Sequence, residues 1–222
     1  MLKIRSKKKR IFIPKVVSGK ALMREWDPAR VCALMIESAR IAKGMFSSFK
    51  WSRKEDSSLV TKADIAIEKL FSKYCDCPEE NVFFIGEETV DSKSEEYIKN
   101  AMSGVAWIID PIDGTAPFAC NIPTWGISVA FAVDGIIKDG AIYLPSAGEI
   151  YISYEGESYF SDKILGSTRY INLSKIPPPS ANIASGALIS ISQDVAKKGR
   201  MEIENPVQAV CCSVFSAAGL LR

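Results

Sequence analysis

The sequence predicts an α+β fold in which helices come first, a largely antiparallel sheet follows, and further strand and helix close the chain. Three observations support this expectation. Apolar residues recur at helical spacing early in the chain, strand-like runs separated by turn residues fill its middle, and both patterns return after a triple proline at 177–179. With 222 residues and 47% hydrophobic side chains, the chain can bury a substantial core.

Two helices are predicted before the first strand. Asp27 followed by Pro28 is typical of a helix start, and the apolar spacing that follows predicts a helix over about 27–49. Thr61 and Asp64 have the spacing of a capping box, so a second helix is expected to begin near them.

Strands dominate the middle of the chain. The first two expected strands are separated by a polar segment, 92–102, that is expected to be helical. The next three form an antiparallel meander with turn signals between them. After the prolines we expect one more buried strand and an apolar helix over 207–221. The expected strands cover residues 82–85, 105–110, 127–133, 141–144, 149–152 and 183–191.

Composition excludes several classes of protein. The chain has no histidine, which rules out Ser-His and Cys-His catalysis and removes the imidazole metal ligand. Six cysteines without a disulfide or zinc spacing are expected to be reduced. No apolar run is long enough for a membrane span and no secretory signal is visible, so we expect a cytoplasmic protein.

The charge is unevenly distributed. Residues 1–20 carry eight Lys or Arg and no acid, whereas the remainder carries 20 basic and 26 acidic residues. A basic leader could contact a membrane or nucleic acid, but no aromatic interleaving or second basic patch supports this, and we expect a flexible tail without either partner. The predicted organisation is a leader over 1–20, an α+β portion over 21–176 and a further α/β portion over 177–222.

An acidic turn ends the second predicted strand. Asp110 and Asp113 lie three residues apart around Pro111, and Glu87 follows the other apolar strand. Because carboxylates and the Ile112 carbonyl are hard oxygen ligands, the pattern predicts Mg²⁺, with Asp110 shared between two ions.

Two residues beside this turn could handle water and phosphate. Thr115 could orient a water if Asp64 accepts its hydroxyl proton, and the amides of Gly114 and Thr115 could bind phosphate at a helix start. Alternatives remain open for two of the acids. Asp64 is equally well a helix-capping residue, and Glu88 is more typical of a local hydrogen bond than of a metal bond.

These segments resemble the inositol monophosphatase-like family, the Mg²⁺-dependent, lithium-sensitive phosphatases of the fructose-1,6-bisphosphatase superfamily. The resemblance is carried by residues 59–64, 84–88 and 107–115, in order and at fitting intervals. It implies a layered αβαβα sandwich, usually a homodimer, with two or three Mg²⁺ ions. It also implies the following roles: metal ligation by Glu87, Asp110, the Ile112 carbonyl and Asp113; water activation by Asp64 and Thr115; phosphate binding by Gly114 and Thr115; and a place for Lys54 near an outer metal.

The sequence departs from the family pattern in two places. Ala116 and Pro117 replace a polar residue and Asn that often precede Phe118, and the loss of a donor at Pro117 should cost little near a helix start. A late Trp-Asp signature, expected after the helix at 207–221, is absent, so the last part of the second α/β layer is expected to be missing.

The expected function is hydrolysis of a small phosphate monoester, of the inositol monophosphate type, by metal-activated water. A haloacid-dehalogenase mechanism is set aside because Pro111 occupies the place of its nucleophilic aspartate. The alternative is an inactive or impaired, truncated family member with a binding or regulatory role.

Overall fold

We analysed a computed structural model of the chain, which describes residues 8–14, 21–46, 52–53, 59–60, 62–162, 164, 170–177, 189–191, 207–209 and 212–221. Within these ranges there are five α-helices: α1 (Pro28–Phe46), α2 (Lys62–Cys75), α3 (Glu95–Ala101), α4 (Thr115–Ala119) and α5 (Ser213–Leu220). Two short 3₁₀ helices span Pro78–Glu80 and Val90–Ser92.

Twelve strands are described. They are β1 (Lys8–Phe12), β2 (Ser52–Arg53), β3 (Leu59–Val60), β4 (Val82–Gly86), β5 (Val105–Asp113), β6 (Gly126–Val133), β7 (Ile136–Leu144), β8 (Glu149–Tyr154), β9 (Glu157–Ser161), β10 (Tyr170–Lys175), β11 (Ile189–Ile191) and β12 (Val207–Ala209). Eight of them form one sheet in the order β1-β10-β9-β8-β7-β6-β5-β4. Only β4 and β5 pair in parallel within it, which confirms the expected α+β class and the antiparallel meander.

Helices α1 and α2 cover one face of this sheet. The carboxylate of Asp27 accepts hydrogen bonds from the amides of Ala29 and Arg30 at 2.9 and 3.2 Å, so the predicted N-cap is confirmed. The largest side chain buried under these helices is Trp107, which stacks on Trp26 with ring centroids 5.7 Å apart. Because Trp107 packs here, this side of β5 faces α1 and α2 and is turned away from the other helices.

Helices α3 and α5 lie on the opposite face. Phe83, Ala106 and Ala132 are in register on adjacent strands and form a small core with α3. Farther along the sheet, Val214 of α5 packs with Leu144. The sheet is therefore covered on both faces by helices, as a layered sandwich requires.

The leader was predicted to be flexible, and for residues 8–12 this prediction is wrong. Strand β1 pairs antiparallel with β10, placing Ile11 opposite Ile171 on the side that faces the core. The outward side chains are also engaged, since the Arg10 guanidinium lies 4.1 Å from the ring centroid of Tyr170. The alternation of inward-facing and outward-facing residues therefore allows this segment to form a strand despite its charge.

The helix predicted over 207–221 is shorter than expected. Val207–Ala209 is a strand, parallel to β11, and α5 begins only after Cys212. The thiol sulfur of Cys212 accepts a hydrogen bond from the Phe215 amide at 3.3 Å, so this cysteine caps the start of α5. In the described part of the chain, no helix is both long and apolar enough to cross a membrane.

Candidate metal and phosphate site

A β-bulge brings Asp110 and Asp113 to the same face of the sheet. Residues three apart in a regular strand point to opposite faces. Here Asp110 pairs with Ser128 and Asp113 pairs with Gly126, so three steps on β5 match two steps on β6. The irregularity turns both carboxylates toward the face that carries α3 and α5.

Glu87 joins them from the neighbouring parallel strand. Gly86 at the end of β4 pairs with Ile109, and the Glu87 amide donates to the Ile109 carbonyl at 3.2 Å. This contact places Glu87 beside Asp110. Two strand ends therefore present acidic side chains at one edge, as the sequence predicted.

The environment of Asp110 is unusual for a carboxylate. The pKa of Asp110 is raised to about 8, first by burial and then by the charges of Glu87 and Asp113, a hydrogen bond to Glu87 and the charge of Asp64. Among the described residues, no group donates a hydrogen bond to the buried Oδ1 of Asp110. A partly buried carboxylate that is crowded by other acids and lacks a donor fits a bound cation, which would relieve both costs.

The turn after β5 has the expected geometry. Gly114 adopts a left-handed conformation with φ of 89° and precedes α4, so the predicted helix start at Thr115 is present. The Thr115 hydroxyl donates to the Ile112 carbonyl at 3.1 Å. In this arrangement its proton goes to Ile112 rather than to Asp64. Asp64 lies in the first turn of α2 and is 2% exposed.

Asp113 is held by α5. Its Oδ2 accepts a hydrogen bond from the Val214 amide and one from the Cys212 thiol at 3.5 Å. Burial, followed by the charge of Asp113, raises the pKa of Cys212 to about 12, so this thiol stays protonated and can donate. Sequence reasoning did not foresee this contact, because nothing local pairs positions about a hundred residues apart.

Glu68 is a second residue that sequence reasoning missed. It is 1% exposed on α2, and its Oε1 accepts a hydrogen bond from the Glu88 amide at 2.8 Å. A signal was available: Glu68 occupies a buried helical position one turn after Asp64, where the apolar pattern calls for a hydrophobic residue. This bond comes from the Glu88 backbone and reaches a residue 20 positions earlier, so the role expected for the Glu88 side chain stays a prediction.

The acids do not form a preassembled metal cage. In the part of the chain that the structure describes, no group of three or more Cys, Asp or Glu side chains is arranged to coordinate one ion. The donor set nevertheless suits a hard cation, since it consists of carboxylates and the Ile112 carbonyl. Lys54, which the resemblance places near an outer metal, and Thr61 of the predicted capping box lie outside the described residues.

A cavity of about 610 Å³ opens beside the acidic edge, which is the part of the sheet where Glu87, Asp110 and Asp113 lie. Glu87 and Asp110 contribute to its wall, and most of the remaining wall is aliphatic, including Ile108, Val129 and Val214. A mainly apolar pocket with a few convergent polar groups is the usual form of a small-molecule site.

Known proteins resemble this chain in both sequence and fold. The inositol monophosphatase family matches residues 24–220. A histidinol-phosphatase of Chlorobaculum parvum is 35% identical over 109 residues, which is 48% of this chain and 39% of that protein. Inositol-1-monophosphatase of Bacillus subtilis is 29% identical over 155 residues, covering 69% of this chain and 53% of that protein.

Solved structures agree on the fold. The extragenic suppressor protein suhB of Bartonella henselae superposes with a TM-score of 0.62 at 19% identity, covering 86% of this chain and 72% of that one. An IMPase of Thermotoga maritima gives 0.59 at 20% identity, with 86% and 70% covered. The chain spans between about a third and about half of the curated relatives it matches.

Proposed function

The chain belongs to the inositol monophosphatase family, and on this basis we propose that it hydrolyses phosphate monoesters of small metabolites with Mg²⁺ as cofactor. The observation that carries the proposal is the state of Asp110. It is a largely buried carboxylate with acidic neighbours and a pKa raised to about 8, a combination that a divalent cation would stabilise.

Four residues would hold the metal. Glu87, Asp110 and the Ile112 carbonyl would form one site, and Asp110 and Asp113 would share a second ion. When bound, two such ions lower the pKa of a water and stabilise the leaving oxygen of a phosphate ester. To bind an ion through Oδ2, Asp113 would have to give up its contacts with α5.

The protein groups would position water and phosphate. The Thr115 hydroxyl would turn from the Ile112 carbonyl toward water, and Asp64 would accept its proton. The amides of Gly114 and Thr115, at the start of α4, would donate to phosphate oxygens.

The substrate would be a small polar metabolite of the inositol monophosphate type. The similar proteins include inositol monophosphatases and a histidinol-phosphatase, which share a phosphate ester and differ in the alcohol. Lithium sensitivity, a homodimer and a cytoplasmic location are further family-level expectations for this chain.

Phosphate release from a panel of such esters tests the proposal. We expect turnover with Mg²⁺, loss with EDTA, and a loss of roughly 100-fold or more in Asp110→Asn. Asp134→Asn is the matched control, because it makes the same change of side chain at an exposed position. Asp134 lies in a hairpin turn with φ of 51°, a conformation that Asn tolerates. Full activity of Asp110→Asn would refute the assignment.

One observation favours a second function, in which the protein binds a phosphorylated ligand without turnover. The contacts of Asp113 with Val214 and Cys212 occupy one of the two carboxylate oxygens that it could offer to the second ion. Ligand binding by calorimetry without phosphate release would support this function, whereas robust turnover by the wild-type chain would contradict it.

A further inference from the structure

Glu68 of α2 contacts the turn that carries Glu87 at the acidic edge. It is a buried carboxylate that the proposed chemistry does not use. Its Oε1 accepts the Glu88 amide at 2.8 Å, and the side chain is 1% exposed. No described residue donates a hydrogen bond to its Oε2. Burying a carboxylate is costly, so the contact with the turn at 86–88 needs an explanation other than stability.

The backbone of that turn is shaped around this carboxylate. A Cβ added at Gly86 would overlap the carboxyl carbon and both oxygens of Glu68. With any other residue at 86, the Glu68 carboxyl group would have to leave this position. The position thus combines a close backbone approach with a hydrogen bond, and both features involve the same carboxyl group.

Two anchors together determine where Glu87 lies. Its own amide donates to the Ile109 carbonyl at 3.2 Å, and the next amide, that of Glu88, donates to Glu68. The first anchor ties the turn to β5 and the second ties it to α2. Because Glu87 sits between two fixed amides, its backbone has little freedom to move away from Asp110.

We propose that Glu68 is a positioning residue that holds Glu87 in place for the metal. This inference rests on the proposed function, in which Glu87 is a ligand. Glu68 itself contacts the Glu88 amide and does not need to reach the ion. Partners that orient metal ligands typically change metal affinity by about 10–100-fold when removed.

The experiment compares Mn²⁺ binding, measured by calorimetry, in the full-length wild type, Glu68→Ala, Glu68→Gln and Ile67→Ala. We expect Glu68→Ala to weaken Mn²⁺ binding by about 10–100-fold. Glu68→Gln should retain most of the affinity, because the amide oxygen can still accept the Glu88 N–H. Ile67→Ala is the matched control, since Ile67 is an adjacent, fully buried residue on the same helix and its truncation destabilises the core while leaving the Glu68 carboxylate in the chain.

Amide hydrogen exchange at Glu88 supplies a readout that does not depend on metal or on turnover. Exchange should accelerate in Glu68→Ala and remain slow in Glu68→Gln. Equal Mn²⁺ affinity in wild type and Glu68→Ala overturns the proposal, and so does an equal loss in Ile67→Ala. Unchanged exchange at Glu88 in Glu68→Ala also overturns it.

The failure of the proposed function gives a different result. Mn²⁺ binding by the wild type without phosphate release contradicts the hydrolase assignment, while the dependence on Glu68 still holds. A wild type that binds no Mn²⁺ contradicts both the metal assignment and the positioning of a ligand by Glu68.

Discussion

At the scale of single residues, Asp110 shows how a residue of the candidate site can lower the stability of the folded protein. Its carboxyl group is mostly buried, and Glu87 and Asp113 lie close enough to oppose its ionisation. A group of this kind stays protonated in the folded chain at a pH where it would ionise in the unfolded chain. Bound metal would replace that proton, so metal and pH should act on stability through the same residue.

The first prediction concerns pH. Because the pKa of Asp110 is raised from 3.8 to about 8 on folding, the folded chain binds one more proton than the unfolded chain between these values. Stability in EDTA should therefore fall as pH rises from about 5 to about 8, by at most about 4 kcal/mol from this group. Urea unfolding at both pH values measures the change, and Asp110→Asn should flatten it. An equally steep fall in the variant would show that another group is responsible.

The second prediction concerns metal and pH together. Since Mg²⁺ bound at the proposed site would compete with the proton on Asp110, the increase in melting temperature on adding saturating Mg²⁺ should be larger near pH 8 than near pH 6. Thermal unfolding with Mg²⁺ and with EDTA at each pH measures this. A Mg²⁺ effect that does not vary with pH would contradict it.

At the scale of elements, the site depends on how strands and helices meet. The bulge in β5 decides which face Asp113 occupies, the parallel pairing of β4 and β5 decides where Glu87 lies, and the start of α5 holds Asp113.

Tyr97 of α3 shows the same kind of contact at the edge of the sheet. Its hydroxyl accepts from the Phe84 amide at 2.8 Å and donates to Asp76 at 2.7 Å, which covers an edge strand that would otherwise be open.

The third prediction separates two roles of Asp113. Asp113→Ala removes the acceptor of the Val214 amide and should destabilise the metal-free protein by about 1–3 kcal/mol. Asp113→Asn keeps a carbonyl acceptor and should cost less than about 1 kcal/mol, although it loses the charge that a metal needs. Urea unfolding in EDTA measures both variants. Equal costs would show that the contact with α5 contributes little.

The fourth prediction concerns the approach of β4 to α2. Gly86→Ala forces the Glu68 carboxyl group to move and should destabilise the protein by roughly 1–3 kcal/mol. Gly44→Ala is the control, because nothing lies within 4 Å of a Cβ at that position in α1 and alanine should stabilise the helix by about 0.5–1 kcal/mol. Chemical unfolding compares the two. A neutral Gly86→Ala variant would contradict the tight packing.

At the scale of the whole molecule, one sheet joins the beginning of the described chain to its middle. Strand β1 forms one edge, where Ile11 packs against the core and the Lys9 ammonium lies 4.1 Å from the ring centroid of Tyr154. The acidic edge lies at the other end of the sheet, near β4 and β5. Loss of β1 should therefore affect stability more than the chemistry of the site.

The fifth prediction tests this separation. Deleting residues 2–14 removes β1 together with Ile13, which is 7% exposed, and should cost about 2–4 kcal/mol. Deleting residues 2–7 alone leaves β1 intact and is the matched control. Melting temperature and Mn²⁺ affinity should be measured on both. A large loss of metal affinity in the longer deletion, at a temperature where it remains folded, would contradict the separation.

Local chemistry in the sequence determined much of this protein. Periodicity and capping residues located α1, and three short segments, 59–64, 84–88 and 107–115, identified the family and the candidate ligands, because each signal is contained within a few consecutive residues. Contacts between distant segments were decided only by the tertiary structure. The shift in register between β5 and β6, the contact of α5 with Asp113 and the contact of Glu68 with the Glu88 amide all join residues that are separated along the chain. Only strand register and helix packing bring them together.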